Sequence, residues 1–216
     1  MSVAVPVPEH CCLTQCPRTL TPALSVPYAR WTMPEWCTQE YWGDQFFYWA
    51  HFCEEEGLAE RLLEEDIRLS LKTMHIHTSG DRGKGATPKQ EGVRSLLEAV
   101  TAPPDELPPW MTEDDLDYYT EMYESSGFRG GLNWYRAFPN LLQNTQSLEG
   151  VKVPQPCIFI QGSNDVVAKM IPNGHLEAQC EDLRGEFFLD GPGHWLPVEA
   201  KEEVTRISLE FLTEFV

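Results

Sequence analysis

Before Val153 the apolar residues of this chain recur at helical intervals among acids; beyond it they gather in short unbroken runs. Trp42, Phe46, Trp49 and Cys53 are spaced three or four apart and predict one apolar helix face, with Tyr48 one residue off it. Seven acids between Glu54 and Asp66, opposed only by Arg61, read as a solvated helix surface. His75 and His77 read as an exposed pair in a polar linker, and Thr78 to Gln90, rich in Gly, Lys and Ser, as a flexible excursion. A short helix over 92–100 stops ahead of the Pro103-Pro104 and Pro108-Pro109 pairs. Thr112 caps the next helix, which carries Glu113, Asp114 and Asp115 near the positive end of its dipole and turns Leu116, Tyr119 and Tyr123 inward. Gly127 ends it, Gly130 and Gly131 allow a tight turn, and a further helix runs to about Leu142.

Cys157-Ile158-Phe159-Ile160, between Pro156 and Gly162, predicts a parallel strand buried on both faces, and Glu186 to Leu189 a second. A strand end at Leu24 to Tyr28, stopped by Pro27, precedes the helical region. Val204, Ile207, Phe211, Leu212 and Phe215 outline an amphipathic terminal helix. The class is α/β. Three stretches follow: an irregular 1–23 with four prolines and three cysteines, a helical 24–140, and a strand-and-helix 141–216.

Charge narrows the partners. Thirty-four acids against sixteen bases leave a formal net charge of −18, a surface that repels phosphate backbones and anionic lipid, so no nucleic acid is expected. The apolar runs are too short for a membrane span and no signal peptide opens the chain, so a soluble, cytoplasmic protein is expected. The seven cysteines (11, 12, 16, 37, 53, 157 and 180) include no CxxC and read as reduced thiols. His10-Cys11-Cys12 with Cys16 lacks the second half of a closed metal site, and neither metal nor cofactor is called for.

Candidate chemistry lies on the two strand exits. Gly162-Ser163-Asn164-Asp165 places an acid, and Gly191-Pro192-Gly193-His194-Trp195 a histidine, at the edge where open α/β sheets bind ligands. Their order is that of the second and third members of a hydrolase triad: Asp165 would hold one imidazole nitrogen of His194 while the other accepts a proton from water. Trp134 and Tyr135 pack one helix on another, or Tyr135 serves as a proton donor.

Ser126-Gly127-Phe128-Arg129-Gly130-Gly131-Leu132-Asn133-Trp134-Tyr135-Arg136 resembles the segment closing the lid of epoxide hydrolases of the α/β-hydrolase superfamily, and the resemblance runs from about Leu24 to Val216. It implies a partial α/β-hydrolase fold: a helical lid over 24–140, followed over 141–216 by the last parallel strands and helices of the core. In that family an aspartate opens the epoxide to an ester, two lid tyrosines stabilise the oxygen as the ring opens, and the histidine activates water to cleave the ester. Tyr135 matches the second tyrosine. Tyr48 matches the first, since Tyr48-Trp49-Ala50-His51-Phe52 is similar to the family's Tyr-x-x-x-Phe segment. Cys53 to Gly57 runs one residue longer than the family pattern and lacks its proline, which leaves Tyr41 as the alternative.

Neither the family's aspartate elbow, its earlier His-Gly-x-Pro turn, nor a GxSxG occurs in the 216 residues. The resemblance therefore implies an epoxide hydrolase-like protein whose full-length family converts an epoxide to a vicinal diol, here impaired as a truncated or alternatively started product. Two alternatives stand beside it: an inactive binding or regulatory fragment associating with a full-length relative, and another hydrolase activity, on haloalkanes or esters. Paired phenols favour an epoxide, because a leaving halide calls for neutral N–H donors. A few parallel strands without neighbours also expose a sheet edge, through which the chain is expected to associate.

Overall fold

The computed structural model describes residues 20–26, 40, 43, 46–81, 93, 95–100, 102–170 and 176–215. The chain divides into two compact units, a helical one of Trp31–His77 with Arg82–Gln146, and a sheet unit of Met1–Arg30, Thr78–Asp81 and Ser147–Val216. The predicted features at His10, Cys11, Cys12, Cys16, Pro27, Tyr28, Cys37, Tyr41 and Trp42 lie outside the described residues.

The helical unit contains α1 (Tyr48–Cys53), α2 (Leu58–Glu64), α3 (Ile67–Thr78), α4 (Leu96–Ala99), α5 (Glu113–Ser126) and α6 (Arg129–Asn144). Phe52, Leu63, Leu71, Met111, Leu116 and Phe128 share one buried cluster. Complete burial of a side chain such as Leu116 stabilises the unit by about 2 kcal/mol. The Thr112 cap forms as the sequence predicts. Its Oγ1 accepts the Asp115 N–H at 3.1 Å, and the Asp115 carboxylate accepts the Thr112 N–H at 2.9 Å, closing a capping box. Gly127 ends α5 at φ 65°, a backbone conformation that costs a side-chain-bearing residue energy.

Four expectations are corrected in this unit. First, α1 starts only at Tyr48, because Phe47 is extended; its buried residues are Ala50, His51 and Phe52, while Cys53 faces solvent. A face counted from Trp42 is thus rotated once the helix starts late. Second, one of the seven acids, Glu60, is buried, and the exposed Glu64 is tied to the start of α6. Glu60 pairs with Arg136 of α6 (Nη2 to Oε2, 2.8 Å), and Glu64 accepts the Phe128 N–H at 2.9 Å, at the positive end of α6. Third, α3 continues through His75, which lies one turn beyond Leu71 and follows it into the core, stacked on Tyr119 with ring centroids 5.3 Å apart. Fourth, Gly130 and Gly131 sit inside α6 and make no turn; Gly127 makes it for them.

The sheet unit contains β1 (Thr21–Leu24), β2 (Val153–Gly162), α7 (Val166–Met170), α8 (Leu176–Gln179), β3 (Cys180–Leu189), α9 (Leu196–Glu199) and α10 (Lys201–Thr213). The strands are parallel in the order β1-β2-β3, with Leu24 opposite Ile160 and Gly162 opposite Leu189. β1 stops at Leu24, earlier than Pro27, and Ser25 turns the chain at φ 62°. Successive side chains of central β2 go to opposite faces. Ile158 and Ile160 join Leu196, Val204, Ile207 and Phe211 in one cluster, while Val153 and Cys157 join Cys180 in another. Leu212 and Phe215 are exposed, correcting the predicted face of the terminal helix: Leu212 lies about 100° around from Phe211, and Phe215 lies past the last helical residue. No helix among the described residues is long and apolar enough to cross a membrane, and no cluster of three or more His, Cys, Asp or Glu among them could hold a metal ion.

Candidate active site

In the sheet unit, β2 delivers Asp165 and β3 delivers His194 to the carboxyl ends of neighbouring parallel strands. Asp165 is buried to 1 % exposure directly before α7, and its Oδ1 accepts the backbone N–H groups of Val167 at 2.8 Å and Ala168 at 3.2 Å. These bonds satisfy donors that a helix start leaves open and orient the carboxylate. His194 Nδ1 lies 3.2 Å from Asp165 Oδ2 and 3.3 Å from Oδ1, so with its proton on Nδ1 the imidazole donates to the carboxylate. The other ring nitrogen is then unprotonated and can accept a proton, while the carboxylate stabilises the cation that results.

The backbone beneath the histidine is held on each side. The His194 N–H donates to the Thr78 carbonyl at 2.9 Å, and Ser25 Oγ donates to the His194 carbonyl at 3.0 Å. The Glu199 carboxylate accepts the N–H groups of Gly193 at 2.8 Å and Trp195 at 2.9 Å, the residues on either side of His194, and that of Gly80 at 2.7 Å. Three glycines make this crossing possible. A Cβ on Gly80 would overlap the Gly191 carbonyl, one on Gly162 would meet the Gly193 carbonyl oxygen at 2.6 Å, and one on Gly193 would overlap the backbone of Ser79 and Gly80. Only bare backbone allows the three segments to approach so closely. Thr78–Asp81 is accordingly packed against the histidine loop, which corrects the expectation that the whole of 78–90 is a flexible excursion; 82–90 lie outside the described residues.

In the helical unit, Tyr48 of α1 and Tyr135 of α6 meet edge to face with ring centroids 6.0 Å apart. Trp49 and Phe52 also touch Tyr135, at 5.3 and 5.0 Å. Burial, reinforced by the nearby Tyr123, pushes the Tyr135 phenol above its usual range. It therefore stays protonated at neutral pH and can donate a hydrogen bond. Trp134, beside it, is 53 % exposed and packs little. Arg136, the next residue, fixes the turn that carries Tyr135: its Nε donates to the Phe52 carbonyl at 2.8 Å, linking α6 back to α1, and its guanidinium holds the Glu60 carboxyl down at about 2.

Asp165 and His194 are thus brought together in one unit, and Tyr48 and Tyr135 in the other; Tyr41 lies outside the described residues. Ser25, Thr78, Glu199 and Arg136 were missed by the sequence reading. A short spacing could have raised Glu199, five residues after the histidine at the start of a helix. Nothing local marks Ser25, whose partner is 169 residues away.

No family model matches the chain. It is similar to epoxide hydrolase A of Mycobacterium tuberculosis, 32 % identical over 173 residues that cover 79 % of this chain and 53 % of that protein. Epoxide hydrolase B of the same species is 36 % identical over 194 residues, covering 77 % and 53 %. Among solved structures, an epoxide hydrolase from an endophytic Streptomyces superposes with a TM-score of 0.79 at 29 % identity, covering 90 % of this chain and 60 % of that one. Epoxide hydrolase A from Mycobacterium thermoresistibile gives 0.74 at 27 %, covering 90 % and 61 %. The chain spans about half the length of the curated relatives it matches.

Proposed function

We propose that this chain, which belongs to the epoxide hydrolase family of the α/β-hydrolase superfamily and carries that fold in part, contributes water activation and oxyanion stabilisation to the hydrolysis of an epoxide to a vicinal diol. The observation that carries the reading is the buried Asp165 carboxylate on His194 Nδ1 at the exits of two adjacent parallel strands. His194 takes a proton from water through its free nitrogen, and Asp165 stabilises the imidazolium. The strained C–O bond of an epoxide breaks to leave an alkoxide, which needs a proton or a strong hydrogen bond. Tyr135, kept protonated by burial, and Tyr48 beside it are the donors for that oxygen. An aspartate nucleophile would form the ester that the activated water cleaves; the sequence holds no such elbow motif, so turnover by this chain is expected to be very low.

The test is diol formation from a styrene-oxide-type epoxide by the folded chain, followed over hours. His194→Ala and Tyr135→Phe should each lower the rate by about 100-fold or bring it to the uncatalysed level. Diol formed at an unchanged rate by both variants would overturn the assignment.

A second reading, a binding or regulatory fragment that associates with a longer relative, is favoured by β1, which among the described residues pairs only with β2. Its outer ladder would take a further strand. Retention of a tagged full-length epoxide hydrolase, without diol formation by the chain alone, would support it. The thiols of Cys53, Cys157 and Cys180 are free, which suits a reducing compartment such as the cytoplasm.

A further inference from the structure

We infer that Glu199 is a positioning residue for His194, a role that rests on the reading of Asp165 and His194 as the water-activating pair. The carboxylate grips the peptide groups on both flanks of the histidine: Oε2 accepts from Gly193 at 2.8 Å and Oε1 from Trp195 at 2.9 Å. Oε2 also accepts from Gly80 at 2.7 Å, so one side chain joins the histidine loop to the segment whose Thr78 carbonyl binds the His194 N–H. All three are charge-assisted bonds to backbone donors, the strong kind.

A cap for α9 needs only the Trp195 bond. The bonds to Gly193 and Gly80 lie outside that helix, and their effect is to set the angle at which the imidazole leaves the backbone. That angle matters because His194 Nδ1 is nearly equidistant from the two Asp165 oxygens, at 3.2 and 3.3 Å. A small rotation of the loop would carry the ring off both. Two acceptor ends are essential. In Glu199→Gln one end becomes an NH2 group, which must face an N–H and set donor against donor.

The experiment follows the His194 Nδ1–H by 1H and 15N NMR in the full chain, with circular dichroism as the check on folding. Wild type should show a downfield Nδ1–H resonance that Asp165→Asn abolishes. Glu199→Gln should lose it, or speed its exchange with water by about tenfold or more, with helix content retained. Glu203→Gln, which removes an exposed acid of the same charge from α10, should leave it unchanged. Glu199→Asp keeps the charge but is one methylene too short to reach all three donors, and should weaken the signal in the same direction. A wild-type-like resonance in folded Glu199→Gln or Glu199→Asp would overturn the positioning role while leaving the pair intact. Loss of the fold in both variants would overturn it too, marking Glu199 as a folding residue. Absence of the Asp165-dependent resonance in wild type would instead refute the pair itself.

Discussion

Acidification should destabilise the helical unit through one imidazole. His75 is buried in α3 with its Nδ1 2.8 Å from the Leu71 carbonyl, and burial pushes its pKa from 6.5 to about 4, against the raising effect of that carbonyl. Above pH 6.5 the ring is neutral in both the folded and unfolded chain and makes no difference to stability. Below it the unfolded chain takes a proton that the folded one refuses, so stability is lost progressively as pH falls from 6.5 towards about 4. At about 1.4 kcal/mol per pH unit, the full interval amounts to about 3 kcal/mol. His75→Phe keeps the stacking on Tyr119 and removes the titration, with a pH-independent cost of about 1 kcal/mol for the lost hydrogen bond. Urea unfolding of both proteins between pH 7 and pH 4 isolates the effect, since every other group titrates in both. The gap between wild type and variant should move by about 3 kcal/mol in the variant's favour over that range. A gap that stays within about 1 kcal/mol, or an NMR titration of His75 near the ordinary histidine value, would refute the reasoning.

Gly193→Ala should destabilise the sheet unit by about 3 kcal/mol and disorder the His194 loop, because the new methyl overlaps the backbone of Ser79 and Gly80; thermal unfolding and the His194 NMR signals check this. Arg136→Met strands the Glu60 carboxylate in a largely buried position and should cost about 3 kcal/mol, whereas adding Glu60→Gln should restore part of the loss, as a double-mutant cycle by urea unfolding would measure. Because Arg136 holds the Glu60 carboxyl at about 2, the stability from this pair should be present above about pH 4.5 and fade as pH falls towards 2, a trend that Glu60→Gln removes. Thr112→Ala should lose the capping box of α5 and cost about 1 kcal/mol, seen as a lower midpoint in the same unfolding curves.

Local pattern by itself determined a good deal of this protein. The Thr112 cap, the Gly127 stop, the two strands before Asp165 and His194 and the amphipathic terminal helix are short-range matters, set by which donors a helix end leaves open and by the two- and 3.6-residue periods of strand and helix. The order of acid and histidine on successive strand exits was legible for the same reason. Tertiary structure alone decided the rest. His75 and Glu60 look like surface residues in the sequence, yet the packing of α3 against α5 and of α2 against α6 takes them inside, where one gives up its charge and the other finds Arg136. Ser25 and Thr78 carry no local signature, because a hydrogen bond to a backbone 169 or 116 residues away depends only on where the chain returns. Sequence names the groups that could do chemistry; the long-range crossings of bare glycine backbone determine how one of them, His194, is aimed.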